Sequence, residues 1–156
     1  MTGTPLRGPA LAVAAITHIA HNPDTWDQND WRCRTSMCLA GHIAELSGGR
    51  WLAHWDPDRS GWYVGSERLD FFREALPYGP LAYLHAEPDD SPDHIRRYED
   101  IPVVSVPDRA NRLLGRTDHG LFDADLDLYM LWYMIGELWP EEVPDGPLPG
   151  PPPPLS

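Results

Sequence analysis

The chain has 156 residues, enough for one domain with a buried core and too few for two of ordinary size. Its 24 acidic and 12 basic residues leave a formal charge of −12, and every basic residue is arginine. Without lysine there is no Schiff-base lysine, no pyridoxal-phosphate linkage and no P-loop Gly-Lys pair, and without a basic stripe direct nucleic-acid binding is disfavoured.

From Ala10 to His21, Leu11, Ala15, His18 and Ile19 recur at helical spacing, and Asn22-Pro23 ends the pattern. The stretch is too short to span a bilayer, which needs roughly 20 apolar residues. A lone Arg7 and the absence of a small-residue cleavage site make it a poor signal peptide, so the expectation is a cytoplasmic protein off the membrane. Residues 24–34 read as an ordered polar loop carrying Trp26 and Trp31. Thr35 or Ser36 then predicts the cap of a helix to Leu46, with Leu39, Ile43 and Leu46 inward and Gly48-Gly49 as its stop. The runs WLAHW and WYV around DPDRSG predict a β-hairpin. Ser66 predicts a helix through Leu76, with Leu69, Phe72 and Leu76 on one face.

Residues 77–100, interrupted by four prolines, predict irregular chain with one helical turn around Asp93 to Tyr98. Glu87, Asp89, Asp90 and Asp93 read there as a solvated acidic loop. IPVVSV, residues 101–106, predicts a strand, and Pro107 opens a helix that Gly115 closes. The last helix is predicted from Asp125 to Leu138, and its residues are apolar nearly all round. Such a helix is central to the core or half-covered by a partner, and the central position is favoured. The proline-dense tail, residues 141–156, predicts a disordered, polyproline-like extension able to dock on an aromatic groove, although such tails more often act as spacers. The expected fold is therefore a single, mostly helical α+β domain over residues 1–140, with a hairpin or small sheet.

Chemistry concentrates in WDQNDWRCRTSMCLAGH, residues 26–42. Cys38 and His42 stand one turn apart, and Cys33 could fold back toward them. With His18, His21 or His54 as a fourth ligand the set could hold zinc or iron, and with water there Glu45 could serve as a base. Against this stand a buried small thiol at Cys38, a Cys33–Cys38 disulfide and a satisfied core histidine at His42. Packing is the favoured reading, so no cofactor is expected, with zinc the alternative. Trp26, Asp27, Gln28 and Trp31 then form a folding staple, in which Asp27 and Gln28 hydrogen-bond to the start of the next helix. Asp123, Asp125 and Asp127 read as helix N-terminal charge.

The strings NPDTWDQNDW, CRTSMCLAGH and DRANRLLGRTDHGLF give the chain a family likeness. It is similar to a family of small uncharacterised proteins from actinobacteria and their phages. That family shows N-P-x-x-W-x-Q, then C-G-T-x-x-C-x-A-G followed by Trp or His, then L-L-G-x-T. The resemblance covers about residues 10–49 and 105–138. Arg34 stands where the pattern has glycine, and Arg116 where it has an apolar residue. It implies phage or mobile-element ancestry and carries no activity.

The function expected from these features is that of an acidic accessory or regulatory protein. It would bind a protein partner, or a second copy of itself, through Tyr129, Trp132 and Tyr133. The alternatives are a metal-binding protein or metalloenzyme using Cys33, Cys38, His42 and His18, and an acidic DNA mimic.

Overall fold

The structure is a computed structural model that describes residues 6–32, 36–70, 76–117, 119–143 and 146–147. Among the described residues it is an α+β fold of four helices and two three-stranded antiparallel sheets. Helix α1 (Gly8–His21) buries Leu11, Ala12, Ala15, Ile16 and Ile19 and packs on α2 (Leu39–Leu46), α3 (Val106–Leu114) and α4 (Leu128–Leu138). Each large aliphatic side chain buried this way contributes roughly 1.5–3 kcal/mol, so this stripe makes α1 the hub of the helical layer. No helix among the described residues is long and apolar enough to cross a membrane.

Helix α2 starts later than its expected Thr35 or Ser36 cap. Cys38 occupies the N-cap position and makes no side-chain capping hydrogen bond. Instead the amide of Leu39 donates to Gln28 Oε1, 3.2 Å away, so a residue distant in sequence does the capping. Gly41 explains how closely the loop lies on this helix. A Cβ there would sit 2.6 Å from both the Met37 Cβ and the Trp31 carbonyl oxygen. Only a residue without a side chain lets that backbone approach.

The hairpin is present as β1 (His54–Asp56) and β2 (Gly61–Val64), paired through Trp55 and Trp62. The helix expected from Ser66 does not begin there. Glu67–Arg68 form an edge strand, β3, that pairs Tyr63 with Arg68 and Val64 with Glu67. The reason lies in Gly65-Ser66, a two-residue loop with glycine first at φ 60°, which returns the chain along β2 before a helix can start. Leu69 and Leu76 are buried, while Phe72 lies outside the described residues.

The segment expected to be irregular contains two further strands. β4 (Tyr83–His85) and β5 (Arg96–Tyr98) flank β6 (Ile101–Ser105) in the order β4-β6-β5. A single 3-10 turn lies at Pro92–His94, earlier than the turn expected around Asp93 to Tyr98, whose second half is the strand β5 because Arg96–Tyr98 pair with β6. Each flanking strand has three residues, too few to show alternation, and each is defined by pairing with β6. The strand and helix expected around IPVVSV and Pro107 are both present. The Ser105 hydroxyl accepts from the Asp108 amide at 3.2 Å, and Gly115 closes α3 with φ 72°.

Helix α4 overturns the favoured central position. Only Leu131 and Ile135 are buried, one turn apart on the side that meets α1. Asp127 caps it by accepting from the Met130 amide at 2.8 Å, as the aspartate series suggested. Ordered packing continues past residue 140, because Val143 joins the core. From residue 148 on, the proline-rich tail lies outside the described residues.

Candidate functional site

Gln28 is the centre of the tryptophan-rich stretch. Its buried amide oxygen accepts from Leu39 N and from Trp26 Nε1 at 3.1 Å. Its amide nitrogen donates to the carbonyls of Leu121 at 2.9 Å and Asp123 at 3.1 Å. One side chain thus joins the loop, the start of α2 and the turn before α4. Asp27 acts differently from expectation. Its backbone amide donates to Met37 O at 3.0 Å, and its carboxylate accepts from Asn29 N within the loop at 3.0 Å. Trp31 packs edge-on against Tyr78 and Phe122.

Of the metal-ligating candidates, the structure brings His18 and His42 together, with ring centroids 5.6 Å apart. His18 is exposed and His42 buried. Both ring nitrogens of His42 face protein atoms, Nδ1 the Cys38 carbonyl at 3.1 Å and Nε2 the Thr25 hydroxyl at 3.1 Å. A carbonyl only accepts, which places the proton on Nδ1. Burial holds His42 below the usual histidine range, although the Cys38 carbonyl works the other way. Cys33 lies outside the described residues. Among the described residues no three His, Cys, Asp or Glu side chains gather closely enough to hold a metal ion.

Burial pushes the Cys38 thiol up to about 11, outweighing the amides of Gly41 and Ala40 that favour the thiolate. The thiol is therefore protonated at neutral pH and shielded. In a Cys33→Ser background, iodoacetamide is expected to label Cys38 at least 100-fold more slowly in the native protein than in urea. Mass spectrometry of timed aliquots reads this, and equal rates would remove the scaffolding role.

Three further groups do comparable work. Arg32 lies 4.2 Å from the Trp51 ring centroid and 4.9 Å from that of Trp62, and donates to Ala53 O at 2.9 Å. Burial lowers its pKa to about 10, so it stays charged while fastening the loop to the hairpin. His119 accepts from Leu121 N at 2.9 Å through Nδ1 and faces Asn111 Oδ1 at 2.6 Å through Nε2, tying α3 to the turn before α4.

The third group corrects the acidic loop. Asp90 is buried, not solvated. It accepts from Arg109 Nε at 3.1 Å and Nη2 at 2.8 Å, from Arg112 Nε at 3.0 Å and from Glu87 N at 2.7 Å. Arg109, buried on the inner side of α3, also donates to His85 O at 2.9 Å and pairs with Glu87 at 3.2 Å. Burial pushes the Asp90 carboxyl up, but the bonds and charges of Arg109 and Arg112 prevail and hold it below the usual range. One signal was available in the sequence. Arg109 shares the inward stripe with Val106 and Leu113, and a charge at such a position needs a partner.

Beside this centre an open cleft of about 750 Å³ is lined by Asp89, Ser91, His94, Asp108, Arg112 and Arg116. Its charges are mixed, and the Arg112 side chain already bonds Glu87 and Asp90.

The three expected contact residues fall together on α4. Tyr129 and Tyr133 are 75% and 67% exposed, and Met130 beside them is 48% exposed. Trp132 is half-buried, and its indole N–H donates to Gly146 O at 3.0 Å. With Gly136, Glu137, Pro140 and Val143, the residues Tyr129, Trp132 and Tyr133 line a groove of about 300 Å³. No family model, curated protein or solved structure matches the chain.

Proposed function

We propose that the protein is a small acidic accessory or regulatory protein that binds a protein partner through the outer face of α4. The observation that carries this reading is the mismatch between composition and burial. The helix reads LYMLWYMIGEL, yet only Leu131 and Ile135 are buried while Tyr129, Met130 and Tyr133 are exposed. Covering each of those three side chains would gain roughly 1.5–3 kcal/mol before the losses of association. Tyrosine and tryptophan beside one another are also the residues in which interface energy concentrates.

Charge supports one kind of partner. The aromatic face is bracketed by Asp125 and Asp127 at one end and by Glu137, Glu141 and Glu142 at the other, in a chain of charge −12. The matching surface is an apolar patch rimmed by arginine or lysine. A second copy of this acidic chain fits that rim poorly.

The test places a benzophenone side chain at Tyr133 and, as a control, at Glu67 on the exposed β3 edge. Irradiation in cells is expected to give one discrete adduct from position 133 and none from 67. With the adduct's component purified, Tyr129→Ser with Tyr133→Ser should weaken binding at least 10-fold, and added salt should weaken wild-type binding. Equal adducts at both positions, or unchanged affinity in the double variant, would overturn the reading. An adduct of two copies of this chain would overturn the basic-rimmed partner.

A further inference from the structure

We infer that the cleft between α3 and the loop preceding β5 binds a zwitterionic small molecule of the α-amino-acid class. The site is separate from the α4 face and does not depend on it. Its floor is one stripe of α3. Asp108, Asn111, Arg112 and Gly115 are spaced i, i+3, i+4 and i+7, so they share a side of the helix, and all four line the cleft. Gly115 adds no side chain to that floor, and a Cβ there would meet nothing within 4 Å. Asp89, Ser91 and His94 line the cleft from the loop. Its volume of about 750 Å³ lies within the roughly 300–1,000 Å³ of small-molecule sites.

Two near misses carry the inference. Arg112 Nη1 stops 3.9 Å from Asp89 Oδ2, and His94 Nδ1 stops 3.9 Å from Asp108 Oδ1. Both gaps exceed the roughly 3.2 Å reach of a hydrogen bond. Two of these groups are held from behind. Arg112 is fixed through Nε on Asp90 and through Nη2 on Glu87, and Asp108 accepts through Oδ2 from the Ser105 hydroxyl at 2.9 Å. Asn111 adds a donor. Because His119 Nδ1 accepts from Leu121 N, its Nε2 carries the proton, and the Asn111 atom facing it is the oxygen. That leaves Asn111 Nδ2 with no protein partner among the described residues.

The chemistry of these groups selects the ligand. Arg112 Nη1 and Asn111 Nδ2 are donors on adjacent residues and suit a carboxylate, which accepts several hydrogen bonds at once. Asp89 and Asp108 suit an ammonium, which only donates. A simple anion in the cleft would meet two aspartates whose charges oppose it, and a simple cation would meet Arg112 and Arg116. A molecule carrying both signs satisfies both sets. Asp90 is already closed by Arg109, Arg112 and the Glu87 amide, and Arg116 donates to Leu138 O at 2.8 Å. The Arg112 side chain is only 22% exposed and is pinned at two nitrogens, so little ordering cost remains for its third. The remaining volume takes the amino acid's own side chain beside Ser91 and Thr117, whose hydroxyls favour a polar one.

The experiment uses the full chain and the common free α-amino acids as probes. Binding is read from the Asn111 side-chain amide resonances, assigned by their loss in Asn111→Asp, and affinity is measured by calorimetry. At least one amino acid is expected to shift those resonances saturably. Its decarboxylated amine and its deaminated carboxylic acid should each bind about 10-fold more weakly or worse, because each lacks one charge-assisted contact. Asn111→Asp keeps an oxygen for His119 and turns the cleft donor into an acceptor, so it should weaken binding about 10-fold with unchanged circular dichroism. Asp89→Asn, at a side chain that is 88% exposed and carries no packing, should do the same at the ammonium end. Saturation by no amino acid at about 10 mM, well above millimolar affinity, would overturn the inference. Equal binding of the amine or of the carboxylic acid would also overturn it, since the cleft would then recognise a single charge. Unchanged affinity in either variant would place the ligand elsewhere and overturn it too.

Discussion

Replacing Gln28 by alanine is expected to destabilise the protein by about 3–5 kcal/mol, a large share of the roughly 5–15 kcal/mol typical of a domain. The amide meets four groups: Trp26 Nε1, Leu39 N, Leu121 O and Asp123 O. Each net hydrogen bond contributes about 1 kcal/mol, and a buried partner left unpaired costs about 1–3 kcal/mol. Leu39 N matters most, because it is a first-turn amide of α2 and Cys38 offers it no side-chain cap. Gln28→Leu fills nearly the same volume and should be almost as damaging as Gln28→Ala, which separates lost hydrogen bonds from a lost side chain. Urea unfolding followed by tryptophan fluorescence reads both variants. A loss below about 1 kcal/mol in each would show that the loop, α2 and the turn before α4 hold together without this residue.

The second large effect belongs to Asp90. Asp90→Ala is expected to lower stability by about 3–5 kcal/mol, because the buried Arg109 guanidinium would keep only Glu87 and the His85 carbonyl. Asp90→Leu combined with Arg109→Met should lose clearly less than the two single changes added together, since neither charge is then stranded. Additive losses in that cycle would mean that the two residues do not act as a pair. The pH dependence has a definite direction. Asp90 is held below the ordinary range, so its contribution is complete above the unfolded carboxylate value of about 4 and disappears as pH falls through the folded value. His42 is also held low, by burial, so the folded state binds its proton less readily than the unfolded chain. Its contribution begins to fade as pH drops below about 6.5. Acid titration of wild-type stability should therefore fall in two stages, and Asp90→Asn should shrink the lower one, to which Asp56 beside Arg59 also contributes.

The sequence carried a good part of the fold. The β1–β2 hairpin, the β6 strand, α1, α3 and the end of α2 arise from local signals: apolar spacing, a proline at the start, a glycine at the stop. Where the reading failed, the competing signal was either short or distant. Ser66 resembled a helix cap, but Gly65-Ser66 made a tight return and placed Glu67–Arg68 beside β2. β4 and β5 are three-residue strands recognisable only beside β6. The hydrogen bond from the tryptophan-rich loop to the start of the next helix through Gln28 was legible. That the same amide also reaches Leu121 and Asp123, more than ninety residues away, was not.

By itself the sequence determined the chemical limits of this protein: no lysine, a strong negative charge, a short apolar last helix and a proline-dense end. It also placed Tyr129, Trp132 and Tyr133 within one another's reach, because residues three and four apart share a helix face. Tertiary structure alone decided which face of α4 meets α1 and which stays open. Periodicity cannot choose between sides of a helix that is apolar all round, so the choice fell to Leu131 and Ile135 against α1. Tertiary structure likewise turned Asp90 from a surface acid into a buried partner of Arg109, because a charge enters the interior only where the fold sets an opposite charge and hydrogen bonds beside it.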